Sequence, residues 1–498
     1  SLLGLIPPLY SVLLSAPDPK GGARADTHTS QQDNTMHKQR FSGLCLAVAM
    51  GIFGVASVAH AAANTEDEIA RLGQDLTCFG AEKAGNADGT IPEFSGKWTG
   101  VPDGIDFKGT GHHPQDPYAH EEPLFVITAE NMQQYAERLS AGQKKLFEKY
   151  PDTFKMPIYP SHRDFSYAQS VCEATLENAK SAKLLSDGEG LEGRPGGVFF
   201  PLAKNADEMR MNTTLGALYA WTEEFTSDNA HVLKNGKINW GRVFTQALAP
   251  GNEPGKVKHT STTEHSSYYM NQTLIPQRDS GEVLTGVNAW DYSKSPLLSW
   301  RYDPGTRRVR LSPGYGYDMA YPGTGGSMTV DETRIYSNSG HRYDWKIVGK
   351  KEIYVPYNNY KIHSNKLKYD DILTSGHIKP EVMRYELHRV WVIRGELKPG
   401  FRHLYATRDI YIDEDSWFAI MGDNYDGNGE LWRTSLVNYI HLPELEGWHS
   451  GVGLYHDLFS GDYLAFNLIN EQAKGYTVNK GGLTPNNFGP DAARRAGR

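Results

Sequence analysis

From about residue 229 to the end of the chain, apolar and polar side chains alternate with a period of two, which constrains the fold more than any other feature. In "RYDWKIV", Tyr343, Trp345 and Ile347 share one side while Arg342, Asp344 and Lys346 share the other. In "SWRYD", Trp300 and Tyr302 stand opposite Ser299 and Arg301. Successive side chains of a strand point to opposite faces, so this pattern predicts a sheet packed on one side. "YDPGTRRVRL" joins two strands through a Pro-Gly turn, and further strands are expected near 351–355, 385–397, 401–413, 416–423 and 430–440. "YDGNGELW" turns between the last two, because Asp-Gly and Asn-Gly supply the positive-φ residues of a tight hairpin. Strands joined in sequence by short turns predict an antiparallel meander.

Ahead of the strands the period changes to that of helices. Thr128 is placed to cap a helix with Met132, Tyr135, Ala136 and Leu139 on one face, and Ser140 with Gln143 forms a capping box for the next. A third helix is expected from Tyr167 to Leu185, ending in the glycine-rich "DGEGLEGRPGG". Residues 62–125 are rich in Gly, Pro, Asp and His and read as an extended arm around a short helix at 65–72. The expected class is α+β, with arm and helices in 62–228 covering a large curved antiparallel sheet in 229–498, all of 62–498 forming one unit.

The N-terminal stretch is set apart from this fold. From Met36 the sequence reads "MHKQRFSGLCLAVAMGIFGVASVAHAAANTEDE", a basic start, an apolar run and Ala59-His60-Ala61 before an acidic stretch. That is the pattern of a cleavable secretory signal peptide over 36–61, favoured over a membrane anchor by its small-residue end. Residues 1–35 are then expected to lie upstream of the translated protein or to be disordered, and the mature chain to be periplasmic, with association to the outer membrane as an option, in a Gram-negative bacterium. Cys45 falls inside the apolar run after Leu44, which does not fit a lipoprotein site. Cys78 and Cys172 remain, a candidate disulfide in an oxidising compartment, with two buried free thiols as the alternative.

The formal charge of −8 and a pI near 6.1 offer no basic excess for phosphates, so nucleic acid is not an expected partner. "AGNADGTIP" (84–92) and "GDNYDGNGELW" (422–432) resemble calcium loops, but neither supplies the acidic ligand at the twelfth position. The chain lacks G-x-S-x-G, H-E-x-x-H, C-x-x-C and phosphate-binding glycine loops. His112, His113 and His120 in "GHHPQDPYAHEE" are weighed as metal ligands against a solvated loop, and the loop is preferred. No catalytic residue, metal or cofactor is assigned.

What remains is aromatic surface on strands: Trp300, Tyr302, Trp345, Trp391, Tyr405, Trp417, Phe418 and Trp432. Ordinary core packing is weighed against a concave apolar face that shelters a lipid-like ligand. Arg301, Arg307, Arg308 and Arg310 surround one hairpin, as a solvated face or as partners of an anionic head group. The candidate ligand-binding set is Trp300, Tyr302, Trp345, Trp391, Tyr405, Trp417, Phe418, Arg301, Arg308 and Arg310.

Several stretches carry a resemblance: "GAEKAGNADGTIP", "PLFVITAENMQQYAERLSAGQKKLFEKYP", "YDPGTRRVRLSP", "YNNYKIHS", "HRVWVIRGELKPGFRHLYATRDIYIDEDSW" and "DAARRAGR". As a set they resemble the bacterial periplasmic domain-of-unknown-function family 1329. The latter half, at Tyr302 to Arg310 and Asp413 to Leu431, is also similar to the Lol-type outer-membrane lipoprotein carriers. That resemblance implies a half-open β-barrel lidded by helices, a hydrophobic or lipid cargo, and outer-membrane β-barrel and inner-membrane efflux-type transporters as partners. The expected function is a periplasmic carrier of a hydrophobic molecule. The alternatives are a hydrolase of a hydrophobic ester or glycan and an outer-membrane assembly factor without ligand.

Overall fold

The computed structural model describes residues 63–215, 220–263, 265–295, 297–312 and 315–497. The expected signal peptide at 36–61 and the segment 1–35 lie outside the described residues. The described residues build one sheet of sixteen strands and a separate two-stranded hairpin, Lys183–Leu185 with Gly190–Glu192.

The large sheet is two meanders joined. One runs through Tyr385–Leu397, Thr407–Asp413, Ala419–Tyr425, Leu431–Leu442, Gly447–Asp457 and Tyr463–Leu468. The other runs through Thr222–Val232, Ile238–Leu248, Ser267–Ile275, Val283–Asn288, Leu298–Asp303 and Arg308–Leu311. They meet where Tyr463–Leu468 pairs antiparallel with Thr222–Val232, so residues far apart in sequence close the middle of the sheet. Tyr343–Pro356 flanks the first meander along Tyr385–Leu397. The sheet is not closed into a barrel, and its ladders are antiparallel apart from one parallel bridge, Tyr385 to Ile158. The architecture is an α+β fold dominated by one curved sheet.

The local signals map onto this frame with instructive differences. Ser140 and Gln143 form a reciprocal capping box at the start of helix Ala141–Lys149, whose Leu146 and Phe147 are buried against the sheet. Burying each such side chain contributes about 1.5–3 kcal/mol. The helix expected from Thr128 is instead a 3₁₀ segment, Met132–Arg138. Asn131 is the reason: its side chain accepts from Thr128 N–H at 2.8 Å and donates to Val126 O at 3.0 Å, holding 128–131 in a turn. The third helix spans Gln169–Ser181, and "RYDWKIV" and 351–355 are one strand with an irregularity between Ile347 and Gly349.

Three fastenings hold the arm to the sheet. Cys78 and Cys172 are joined by a disulfide, Cα to Cα 5.4 Å, tying the arm to helix Gln169–Ser181. Buried Arg163 makes a two-pronged pair with Asp415, 2.8 Å on each prong, and donates to the carbonyls of Glu82 (2.7 Å) and Pro92 (3.2 Å). "AGNADGTIP" is a loop closed on itself: Asn86 Oδ1 accepts from Ile91 N–H at 2.8 Å, and Gly89 takes a φ of +73° that a side chain would strain. Arg138 grips Asp88 at 2.5 Å, and Asn86 donates to Glu352 at 3.1 Å, docking the loop on the sheet margin.

Among the described residues no helix is long and apolar enough to cross a membrane.

Candidate functional site: a cavity in the hollow of the sheet

The curvature brings the two meanders face to face. Period-two geometry turns Glu223 and Phe225, Thr245 and Ala247, and Tyr269 and Asn271 to the hollow side of three neighbouring strands. Tyr455 and Phe466 approach from the other meander, and the segment Tyr315–Asn338 crosses above, contributing Tyr315, Tyr321 and Val330. Between them lies a cavity of about 210 Å³. A second space of about 270 Å³ shares Tyr292, Leu297, Tyr315 and Asn338 with it and reaches Leu311 on the terminal strand.

The lining mixes aromatic rings with polar side chains, among them Arg334, Asn288 and Asn338, and several of the polar tips bond to one another. Tyr269 and Ser299 share a hydrogen bond at 2.6 Å, Asn271 donates to Tyr321 Oη at 3.0 Å, and Thr245 donates to Asn271 Oδ1 at 3.0 Å. Burial pushes the Tyr321 phenol up to about 12, so the hydroxyl stays neutral. Glu223 is the one acidic group on the wall. Burial alone would raise its carboxyl, but the charge and hydrogen bond of His449 at 2.6 Å outweigh it and hold the group below its ordinary value.

The crossing segment is pinned from beneath. Buried Asp331 pairs with Arg408 at 2.7 Å and His403 at 3.0 Å. Glu332 Oε2 accepts from Tyr405 Oη at 2.9 Å and Oε1 from Asn424 Nδ2 at 3.1 Å. Arg433 donates to the carbonyls of Ser327 (3.2 Å) and Gly326 (3.1 Å).

None of the ten residues named from sequence lines these two spaces. Trp300 and Tyr302 face the other side of their strand and pack with Phe488 and Ala493 of the C-terminal tail. Tyr405 belongs to the pinning network, and Trp345 lies against Tyr336 with its N–H on Gly340 O at 3.1 Å. Trp417 donates to Phe79 O at 2.7 Å, and Phe418 stacks on Tyr439. Trp391 is half-buried with Lys350 above its ring at 4.8 Å. Arg301 pairs with Glu282 at 2.6 Å, while Arg308 and Arg310 are exposed on the terminal strand. The residues that do line the hollow, such as Phe225, Tyr269 and Tyr455, carry the same alternation in sequence. Which of the two faces is concave is a property of the twisted sheet and leaves no mark in the pattern.

One other group draws notice. His388, Asp413 and Asp415 place potential ligand atoms within 4.8 Å of one another, the only such trio of metal-ligating residues among the described residues. Burial, then the neighbouring Asp415, pushes the Asp413 carboxyl up to about 6. Asp415 is already occupied by Arg163, His388 Nε2 lies 2.9 Å from Glu386, and the trio lines neither space in the hollow. The histidines of "GHHPQDPYAHEE" do not converge on a shared ligand position.

The fold and its hollow define an open, curved-sheet α+β protein with a small aromatic cavity under a crossing segment. The chain belongs to the family described as "Protein of unknown function (DUF1329)", which it matches over residues 126–494. It is 38% identical over 453 residues to uncharacterized protein PA3922 of Pseudomonas aeruginosa, covering 88% of this chain and 94% of that protein. Among solved structures it is similar to a DUF1329 family protein from Desulfovibrio piger, at 12% identity over 55% of this chain and 92% of that one, TM-score 0.37. It is also similar to LolA superfamily protein NE2245 from Nitrosomonas europaea, at 12% identity over 58% and 100%, TM-score 0.34.

Proposed function

We propose that this protein is a periplasmic binding or carrier protein for a hydrophobic molecule, with the hollow of the sheet as its site. The observation that carries the reading is the half-open cavity beneath Tyr315–Asn338, walled by Phe225, Tyr269, Tyr321, Tyr455 and Phe466, with Tyr269 and Tyr321 holding their hydroxyls in hydrogen bonds to Ser299 and Asn271. The rings and aliphatic side chains of the wall favour apolar surface, at about 25 cal/mol for each Å² removed from water. The cavity of about 210 Å³ is below the roughly 300–1,000 Å³ of typical small-molecule sites, so cargo larger than a single ring enters by displacing the crossing segment. In this reading release follows docking to a membrane partner that draws that segment aside. The disulfide supports an oxidising compartment.

The test is native mass spectrometry, with organic extraction, of the mature protein purified from its own periplasm. A co-purifying lipid or terpenoid of defined mass is expected. A clean apo mass that persists after incubation with lipids would overturn the reading.

A further inference from the structure

The cover of the sheet cavity carries a charge. Arg334 lies on the crossing segment Tyr315–Asn338, half-buried, and lines the cavity of about 210 Å³. No other Lys, Arg or His among the described residues lines that cavity or the space of about 270 Å³ beside it. Burial dominates at the phenols of Tyr321 and Tyr455 and at the Glu223 carboxyl, and against it the positive charge of Arg334 favours the ionised form of all three. Tyr321 belongs to the cover, Tyr455 to Gly447–Asp457 and Glu223 to Thr222–Val232, so one guanidinium acts on three walls.

The backbone is bent to put it there. Arg334 takes a φ of +54° and Ile335 one of +74°, which turns the first residue to the hollow and buries the second in the core. A β-branched residue rarely adopts such a φ, and costly backbone of this kind clusters at ligand sites. The bend is held by Ile335 N–H donating to Glu332 O and Ser337 N–H to Asp331 O, each at 2.9 Å, and Asp331 and Glu332 are the residues pinned from beneath.

The negative charge of the wall is placed differently. Glu223 is the one acid there, and its partner at 2.6 Å, His449, lies outside the lining. Away from Arg334 the walls turn neutral. Tyr292, Leu297, Tyr315 and Asn338 border both spaces, and the second continues past Leu298 to Leu311, which is 51% exposed, without a charged side chain on its wall.

We infer that the cargo is a single-tailed carboxylic acid, its carboxylate accepting from the Arg334 guanidinium and its alkyl tail lying in the second space toward Leu311. The paired N–H donors of a guanidinium fit the two oxygens of a carboxylate, and a hydrogen bond between two charged groups is stronger than a neutral one. The inference rests on the carrier reading and names its cargo class. Because the anchor is part of the cover, the bound acid also fastens the cover down.

Calorimetric titration of the mature protein at neutral pH tests it with decanoate, 1-decanol and decylamine, which share a tail and differ in the head. Decanoate is expected to bind at least tenfold more tightly than decanol, and decylamine most weakly. Arg334→Gln is expected to bring decanoate to the level of decanol while decanol binding stays as it was, a split that a merely structural loss does not give. Should that variant not fold, the three heads compared on the parent protein decide the matter. Decanol or decylamine binding as tightly as decanoate, or a folded Arg334→Gln that keeps the preference, would overturn the acidic head and leave the carrier reading standing. Failure of all three to bind would overturn the carrier reading and this inference with it.

Discussion

Arg408 Nη1 lies 2.7 Å from Asp331 Oδ2, and both side chains are almost wholly cut off from solvent. Arg408 belongs to a strand and Asp331 to the segment that crosses the hollow, so one ion pair joins the floor of the site to its cover. Burial opposes the charge on Asp331, but Arg408 and His403 reverse that effect and hold the carboxyl well below the usual range.

Asp331→Asn leaves Arg408 buried without its counter-charge, and breaking such a pair costs about 3–5 kcal/mol. The expected outcome is a matching loss in urea unfolding, with hydrogen exchange rising first in 315–338. Exchange rising uniformly across the sheet would show that the pair does not specifically secure the cover.

The cavity itself is tested by filling it. Ala247→Trp places an indole in the hollow, at a cost of about 1–3 kcal/mol for overpacking. Binding of 1-aminoanthracene, followed by fluorescence, is expected to fall at least tenfold while the fold persists by circular dichroism.

Trp417→Ala acts in the opposite way. Trp417 is 4% exposed and bonded to the arm through Phe79 O, so its loss is expected to cost about 3–5 kcal/mol. Probe binding per folded molecule should not change. A selective loss of binding at intact stability would place this indole at the ligand after all.

The disulfide closes a span with a sequence separation of 94 residues, which in the chain-entropy model contributes about 4–5 kcal/mol. Cys78→Ser and Cys172→Ser should each lower the melting temperature as far as reductant lowers that of the parent. The double variant should lose no more than either single one.

Acid sensitivity should begin earlier than carboxylates alone would set it. Burial drives His363, His441 and His456 down to about 3 from 6.5. Between those values the unfolded chain takes up protons that the folded chain refuses, so stability falls as pH is lowered from 6.5 toward 3. Each histidine adds a slope of about 1.4 kcal/mol per pH unit within that window. In His363, Nδ1 lies 2.9 Å from Asn359 O while Nε2 accepts from Val452 N–H at 2.9 Å, which fixes the neutral form. His363→Gln should therefore remove one proton's worth of slope in urea midpoints measured from pH 7.5 to 4.5.

The sequence carried the strands because alternation is a local signal, and it carried the Ser140 capping box because four residues suffice to make one. It did not carry the pairing of Tyr463–Leu468 with Thr222–Val232, which depends on contacts more than 200 residues apart. The site suffered most from this. In Leu298–Asp303 the large rings of Trp300 and Tyr302 attract attention, yet Ser299 is the residue on the cavity side, bonded to Tyr269. Side-chain size marks burial, and burial occurs on both faces of this sheet. The helix expected over 128–139 gives way to a 3₁₀ segment for a different reason, because a short polar side chain, Asn131, competes with the backbone for its own hydrogen bonds.

A sheet that does not close has margins, here Arg308–Leu311 at one end of its order, Phe125–Ile127 at the other, and Tyr343–Pro356 flanking the first meander. Unpaired strand backbone is an invitation to recruit another chain. Here one margin bears the exposed Arg308 and Arg310, while the arm lies along Tyr343–Pro356, Glu82 pairing with Lys350 at 2.8 Å and Asn86 donating to Glu352 at 3.1 Å, so charge guards one edge and a covering loop another. The openness that creates a hollow is thus kept from becoming a route to fibres.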